Sequence, residues 1–185
     1  EVKLESNLFL YMNNLRYSIF IASFLRMLPL FGQTAKEDYL VIMYDSVHDA
    51  CGYQNRSGDT IIPFNTFRMC YTDTFKTAAV VLKDGEGFVA IDRTMHVLYN
   101  VFPFDNGPDY ISEGLYRIVK NNEIGYANAE GIICIQPQFA CAYPFENGRA
   151  KVSKFCTLET IDEHTIWKSA LWYYIDKNGH EIISE

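Results

Sequence analysis

Hydrophobic positions along the chain follow two regimes. One continuous apolar run, Tyr17 to Phe31, holds Ile19, Phe20, Ile21, Phe24, Leu25, Met27, Leu28 and Leu30. After the charged stretch Lys36-Glu37-Asp38, the apolar residues come instead in short groups bounded by Gly, Pro, Asn or Asp. Those groups are rich in Ile, Val, Tyr and Phe, side chains that suit a pleated surface, so they predict short strands. Pro63 and Pro137 each end such a group, because proline has no N–H for a ladder.

The strand-like groups repeat. Gly52-Tyr-Gln-Asn-Arg-Ser-Gly58-Asp-Thr-Ile-Ile-Pro63 aligns with Gly125-Tyr-Ala-Asn-Ala-Glu-Gly131-Ile-Ile-Cys-Ile-Gln-Pro137 and with Tyr173-Tyr-Ile-Asp-Lys-Asn-Gly179-His-Glu-Ile-Ile183. A degenerate copy runs from Gly87 to Leu98, so units start near 52, 87, 125 and 173. A second block lies between the starts: Pro144-Phe-Glu-Asn-Gly148-Arg-Ala-Lys-Val152 matches Ile111-Ser-Glu-Gly114-Leu-Tyr-Arg-Ile-Val119, and more weakly Phe75 to Val81. Asn128-Ala-Glu-Gly131 and Asp176-Lys-Asn-Gly179 read as tight turns whose last residue has positive φ, which glycine adopts without a Cβ clash.

Together these motifs resemble the WG-repeat family, over about residues 51–185. The Trp-Gly pair itself is replaced by Cys51-Gly52, Glu86-Gly87, Ile124-Gly125 and Trp172-Tyr173. The resemblance implies an all-β fold: tandem repeats of about three short antiparallel strands, three and a half units long, stacked into an elongated or curved array over residues 34–185. It implies no reaction. One three-stranded unit cannot bury its own apolar face, so neighbours must cover each other. Tyr53, Phe88, Tyr126 and Tyr174 at equivalent positions are then expected in the core or between repeats. The segment Ser153 to Ala170, with Glu159, Asp162, Glu163, His164 and Trp167, is an insertion expected as a solvated loop and is the place to look for a special surface.

The apolar run at the start fits a different purpose. Arg16 before it and Gly32-Gln-Thr-Ala35 after it complete the three-part pattern of a secretory signal peptide in residues 1–33, with residues 1–11 upstream of Met12 standing outside that pattern. Cleavage is expected near Gln33 or Thr34. The run is too short for a confident membrane span, so no stable span is expected in the mature form. The other reading is an amphipathic or buried helix of the fold, in a cytoplasmic protein.

Composition narrows the class. The chain has 185 residues, 16 Lys and Arg against 23 Asp and Glu, a net charge of −7, and 13 Tyr plus 13 Phe. Disordered and collagen-like chains are excluded by its apolar content and its low Gly and Pro. The acidic balance argues against nucleic acid as a partner.

Candidate chemistry is sparse. Cys51, Cys70, Cys134, Cys141 and Cys156 include no Cys-x-x-Cys pair. Most are expected free and buried, Cys134 as a small hydrophobe among Ile132, Ile133 and Ile135. His48, His96, His164 and His180 form no i, i+2 or i, i+4 pair, and Asp162-Glu163-His164 reads as solvated loop charge rather than a metal site. Phe104-Asp-Asn-Gly-Pro-Asp-Tyr110 reads as a turn. No Gly-x-Ser-x-Gly occurs, and Lys83-Asp-Gly-Glu-Gly87 lacks the ending of a phosphate loop. No catalytic, cofactor or metal residue is assigned.

The sequence thus points to a non-enzymatic binding or scaffold module, exported to the periplasm or cell envelope, with a protein, peptide or glycan as ligand. Two alternatives stand beside it. One is a hydrolase of envelope polymers using Asp105, Asp109, Asp162 or Glu163, which needs two carboxylates roughly 5–10 Å apart in a cleft. The other is a purely structural repeat.

Overall fold

The computed structural model describes residues 38–161 and 164–183, and these form strands and turns with every ladder antiparallel, as the all-β expectation required. The expected signal peptide, Asp162 and Glu163 lie outside the described residues. The strands group into three-stranded meanders in chain order. The first is β1 (Leu40–Asp45), β2 (Ala50–Gln54) and β3 (Thr60–Ile62). Two short strands follow, β4 (Met69–Cys70) and β5 (Thr74–Phe75). The second meander is β6 (Ala79–Lys83), β7 (Gly87–Ile91) and β8 (Val97–Val101), followed by the small hairpin β9 (Pro103–Phe104) and β10 (Gly107–Pro108). The third is β11 (Leu115–Lys120), β12 (Glu123–Asn128) and β13 (Ile133–Phe139), with the short β14 (Cys141–Ala142) after it. In the fourth, β15 (Ala150–Ser153) is separated by the hairpin β16 (Thr157–Ile161) and β17 (His164–Lys168) from its partners β18 (Tyr173–Ile175) and β19 (Glu181–Ile182).

The unit boundary therefore lies one strand earlier than the sequence motifs suggest. β1, to which no motif points, completes a first unit, and the described residues hold four meanders rather than three and a half. Ser153 to Ala170 is not a plain loop but the β16–β17 hairpin, inserted where the other meanders have a short turn.

The turn between second and third strands is built the same way four times. Asn55, Asp92, Asn128 and Asp176 each accept, through a side-chain oxygen, the backbone N–H four residues on, at 2.9 to 3.0 Å. An Asx side chain that satisfies the local backbone makes a turn stable without outside help. The fourth turn position has positive φ in every case: Gly58, Gly131 and Gly179, but Met95 (φ 68°) in the second meander. Aligned on Asp92, that meander sets Val89-Ala90, not Gly87-Phe88, beside Gly52-Tyr53 and Gly125-Tyr126. The expected equivalence of Phe88 is thus off by two residues.

A bulge follows the turn in three meanders. Tyr53 pairs with Ile62 and Gln54 with Thr60; Ala90 pairs with Tyr99 and Ile91 with Val97; Tyr126 pairs with Ile135 and Ala127 with Ile133. The extra residues, Ile61, Leu98 and Cys134, are exposed. An extra residue in a ladder goes unpaired and shifts the alternation. That is why Cys134 is an exposed free thiol and not the buried hydrophobe its Ile-rich neighbours suggested. Glycine at 52 and 125 has a separate cause: a Cβ there would lie 2.6 Å from the Ile62 carbonyl oxygen and 2.5 Å from that of Ile135.

Alternation gives each meander two faces, and neighbouring meanders share three apolar clusters. Leu40, Tyr53 and Ile62 of the first pack with Ala79, Val81, Val89 and Ile91 of the second. Ala90, Tyr99 and Val101 of the second pack with Tyr116, Ile118 and Ala127 of the third, where β8 also pairs with β11. Leu115, Ile124, Tyr126 and Ile135 of the third pack with Ala150, Val152 and Ile175 of the fourth.

Polar contacts recur at the junctions. Tyr53 donates its hydroxyl to the Thr72 carbonyl (2.9 Å) and Tyr126 to the Tyr143 carbonyl (2.7 Å), each acceptor at the same place ahead of the next meander. Arg93 donates to both the backbone and the carboxylate of Asp38, and Lys177 does the same to Glu113. The two basic residues hold the same turn position.

The cysteine expectation is overturned. Cys51–Cys70 and Cys141–Cys156 are disulfides, with Cα atoms 6.1 and 5.9 Å apart. Cys51 on β2 and Cys70 on β4 lie in different sheets, and Cys156 lies just ahead of β16, so the packing of the fold and not local spacing brings each pair together.

Candidate binding face on the fourth meander

Among the described residues, none covers the side of the fourth meander that in the first three packs on the next meander. Along β18, Tyr173 and Ile175 turn toward the core shared with the third meander, while Tyr174 is exposed. On β15, Ala150 and Val152 are buried and Lys151 faces the other way, with exposed Arg149 two positions before it. Tyr143 donates its N–H to the Lys151 carbonyl (2.9 Å), Lys151 pairs with Tyr174, and Tyr174 pairs with Ile182. These residues make one row across four neighbouring chain segments. The Arg149 guanidinium lies 4.6 Å from the Tyr174 ring centre, and the Lys151 ammonium 4.9 Å from that of Trp172. Tyr143 meets Trp172 at 5.6 Å. A shallow groove of about 330 Å³ lies here, lined by Tyr143, Pro144, Glu146, Arg149, Lys151 and Tyr174.

The third meander shows the same positions covered. Tyr126 stands where Tyr174 does, buried, and burial pushes its phenol well above the ordinary range. Arg117 stands where Lys151 does. It is buried over the Phe102 ring (4.2 Å), with Asp109 accepting from Nη2 (2.6 Å), from Nε (2.9 Å) and from the Arg117 backbone N–H (2.7 Å). Its Nη1 donates to Ala142 (3.2 Å). Tyr143, whose N–H donates to the Lys151 carbonyl as that of Phe102 does to Arg117, stands where Phe102 does, and the β9–β10 hairpin that leads to Asp109 has no counterpart between β14 and β15. Among the described residues, neither Arg149 nor Lys151 has a carboxylate partner.

The inserted hairpin leans on the rim of this face. Trp167 packs edge-on against Phe102 (5.7 Å) and Tyr143 (5.3 Å). The Cys141–Cys156 disulfide and the Ser153–Ser169 hydroxyl pair (2.8 Å) hold the hairpin's base.

Of the carboxylates named from sequence, Asp162 and Glu163 lie outside the described residues. Asp105 is exposed at the tip of the β9–β10 turn, Asp109 is engaged by Arg117, and Glu159 pairs with Lys168 (2.8 Å). His48, His96 and His180 each lie beside an aspartate of their own turn, Asp45, Asp92 and Asp176. Among the described residues no group of three or more His, Cys, Asp or Glu is gathered to hold a metal ion, and no helix is long and apolar enough to cross a membrane. Of the four equivalent aromatics expected inside, Tyr53 and Tyr126 are buried, Phe88 is half-buried and Tyr174 is exposed. Arg149 and Lys151 escaped the sequence reading as site residues. Their signal was present: Arg149-Ala-Lys151 replaces Leu115-Tyr-Arg117 in the matched block, with no Asp ahead of it.

A family model described as WG containing repeat matches residues 124–154, consistent with a WG-repeat protein. The match runs from the glycine-bearing strand β12 through β15, the part of the chain that forms the junction of third and fourth meanders. No curated protein and no solved structure matches the chain.

Proposed function

We propose that this chain is a non-enzymatic β-repeat module, exported to the cell envelope, whose meanders stack as tandem repeats and whose last described meander binds a protein, peptide or glycan on its open face. The observation that carries the binding reading is the pairing of two aromatic–cation contacts, one exposed and one half-buried, with a face that is covered in the third meander. The recurring Tyr-to-carbonyl and basic-to-acidic contacts at the junctions support the stacked array. Two disulfides support export, since such bonds persist in oxidising compartments. Against the hydrolase reading stands Asp109, whose two oxygens are both engaged by Arg117.

Affinity capture from envelope extract of the host, with the wild type and Tyr174→Ala side by side, tests the binding role. Material held by the wild type and released by the variant is the expected result; identical retention by both overturns it. Export has its own check: protein from the host should begin near Gln33 or Thr34, and a soluble cytoplasmic form retaining Tyr17 to Phe31 overturns it.

A further inference from the structure

The open face differs from the covered one in a way that names its ligand. Under the fourth meander, the third supplies its own neutralising charge: Arg117 is stacked on Phe102 and matched by Asp109. The fourth meander keeps the stacked cation, Lys151 on Trp172, and adds a second, Arg149 on Tyr174, yet among the described residues neither has a carboxylate partner. A ring face holds a cation in place while leaving its N–H donors free. Two such cations stand out on a chain of net charge −7.

We propose that the open face of the fourth meander is a docking site for an acidic peptide segment, whose carboxylates take the place that Asp109 holds in the third meander. This rests on the reading of that face as a binding surface. Two features favour a peptide over an acidic sugar. The ring faces of Trp172 and Tyr174, on which a sugar would stack, are already occupied by cations. The row continues through the exposed aliphatic Ile182, with Ile183 beyond it, which suits the side chains of an extended peptide. Glu146 lines the same groove and opposes an acidic ligand.

The test uses the purified protein and a fluorescein-labelled hexaglutamate peptide, with an oligogalacturonate carrying the same carboxylates on sugar rings as comparator. Hexaglutamate is expected to bind better than oligogalacturonate and to weaken as salt is raised. Arg149→Gln and Lys151→Gln should each weaken it about tenfold or more, the worth of one charge-assisted contact, and Glu146→Gln should tighten it. The melting temperature of all three variants should match the wild type, because these side chains lie on the solvent side. No hexaglutamate binding, or binding unchanged in Arg149→Gln and Lys151→Gln, overturns the proposal. Tighter binding of oligogalacturonate that both variants abolish also overturns the peptide assignment, while leaving the open face as a binding surface.

Discussion

The third and fourth meanders share a plan and differ in what lies over them. Tyr126 and Tyr174, and Arg117 and Lys151, occupy matching positions, yet the first of each pair is buried and the second stands in the open groove. One backbone arrangement thus serves as an internal junction or as an outer surface. The side chains decide which: a cation with its own carboxylate can be sealed under a neighbour, and one without it is left for solvent or a ligand.

The sharpest way to break this comparison is to take the carboxylate from the covered pair. Asp109→Ala leaves Arg117 buried and unmatched, and should cost about 3–5 kcal/mol in urea unfolding. Lys151→Ala, at the same position on the open face, should stay within about 0.5 kcal/mol. Equal costs would dissolve the distinction. Next in size is the staple at the open meander. Replacing Cys141 and Cys156 by Ser should cost about 3 kcal/mol by loop-entropy reasoning and should loosen the seating of Trp167, visible in its fluorescence. Thiol counting gives the companion test: one reactive thiol, Cys134, in native protein, and still one after denaturation without reductant.

A smaller effect separates the two tyrosines. Tyr126→Phe removes a buried hydrogen bond to the Tyr143 carbonyl and should cost about 1 kcal/mol, while Tyr174→Phe should cost almost nothing. The smallest effect concerns pH at the junction itself. The hydrogen bond from Lys177, helped by the Gly148 N–H, holds the Glu113 carboxyl below the ordinary glutamate range. A depressed carboxyl stabilises the fold above its unfolded value and loses that contribution as pH falls through the folded one. The unfolding midpoint of the wild type should therefore fall more steeply than that of Glu113→Gln below about pH 4.3. Parallel acid limbs for the two proteins would remove this contact from the account.

What the sequence made legible was local. The Asx-to-Gly turns at 55–59, 128–132 and 176–180 are written in consecutive residues, and they exposed the repeat. Met95 hid the second copy because its positive φ carries no glycine to mark it. Cys134 misled because a one-residue bulge leaves no trace in composition while moving a side chain from core to solvent. The disulfides were hidden because Cys51 and Cys70, like Cys141 and Cys156, meet through tertiary packing between separate segments. The open face was hidden for a related reason. Arg149 and Lys151 look like any alternating charged positions until the covered equivalents, Leu115 and Arg117, are set beside them.

The central claim is that the fourth meander's outer face, and not its covered counterpart, takes a ligand. Nitrogen-resolved NMR of the protein titrated with hexaglutamate tests it most directly. The account predicts shifts concentrated on the amides of Tyr143, Arg149, Lys151, Trp172 and Tyr174, with those of Arg117 and Tyr126 unmoved. Shifts centred on any other face, or none at saturating peptide, would contradict it.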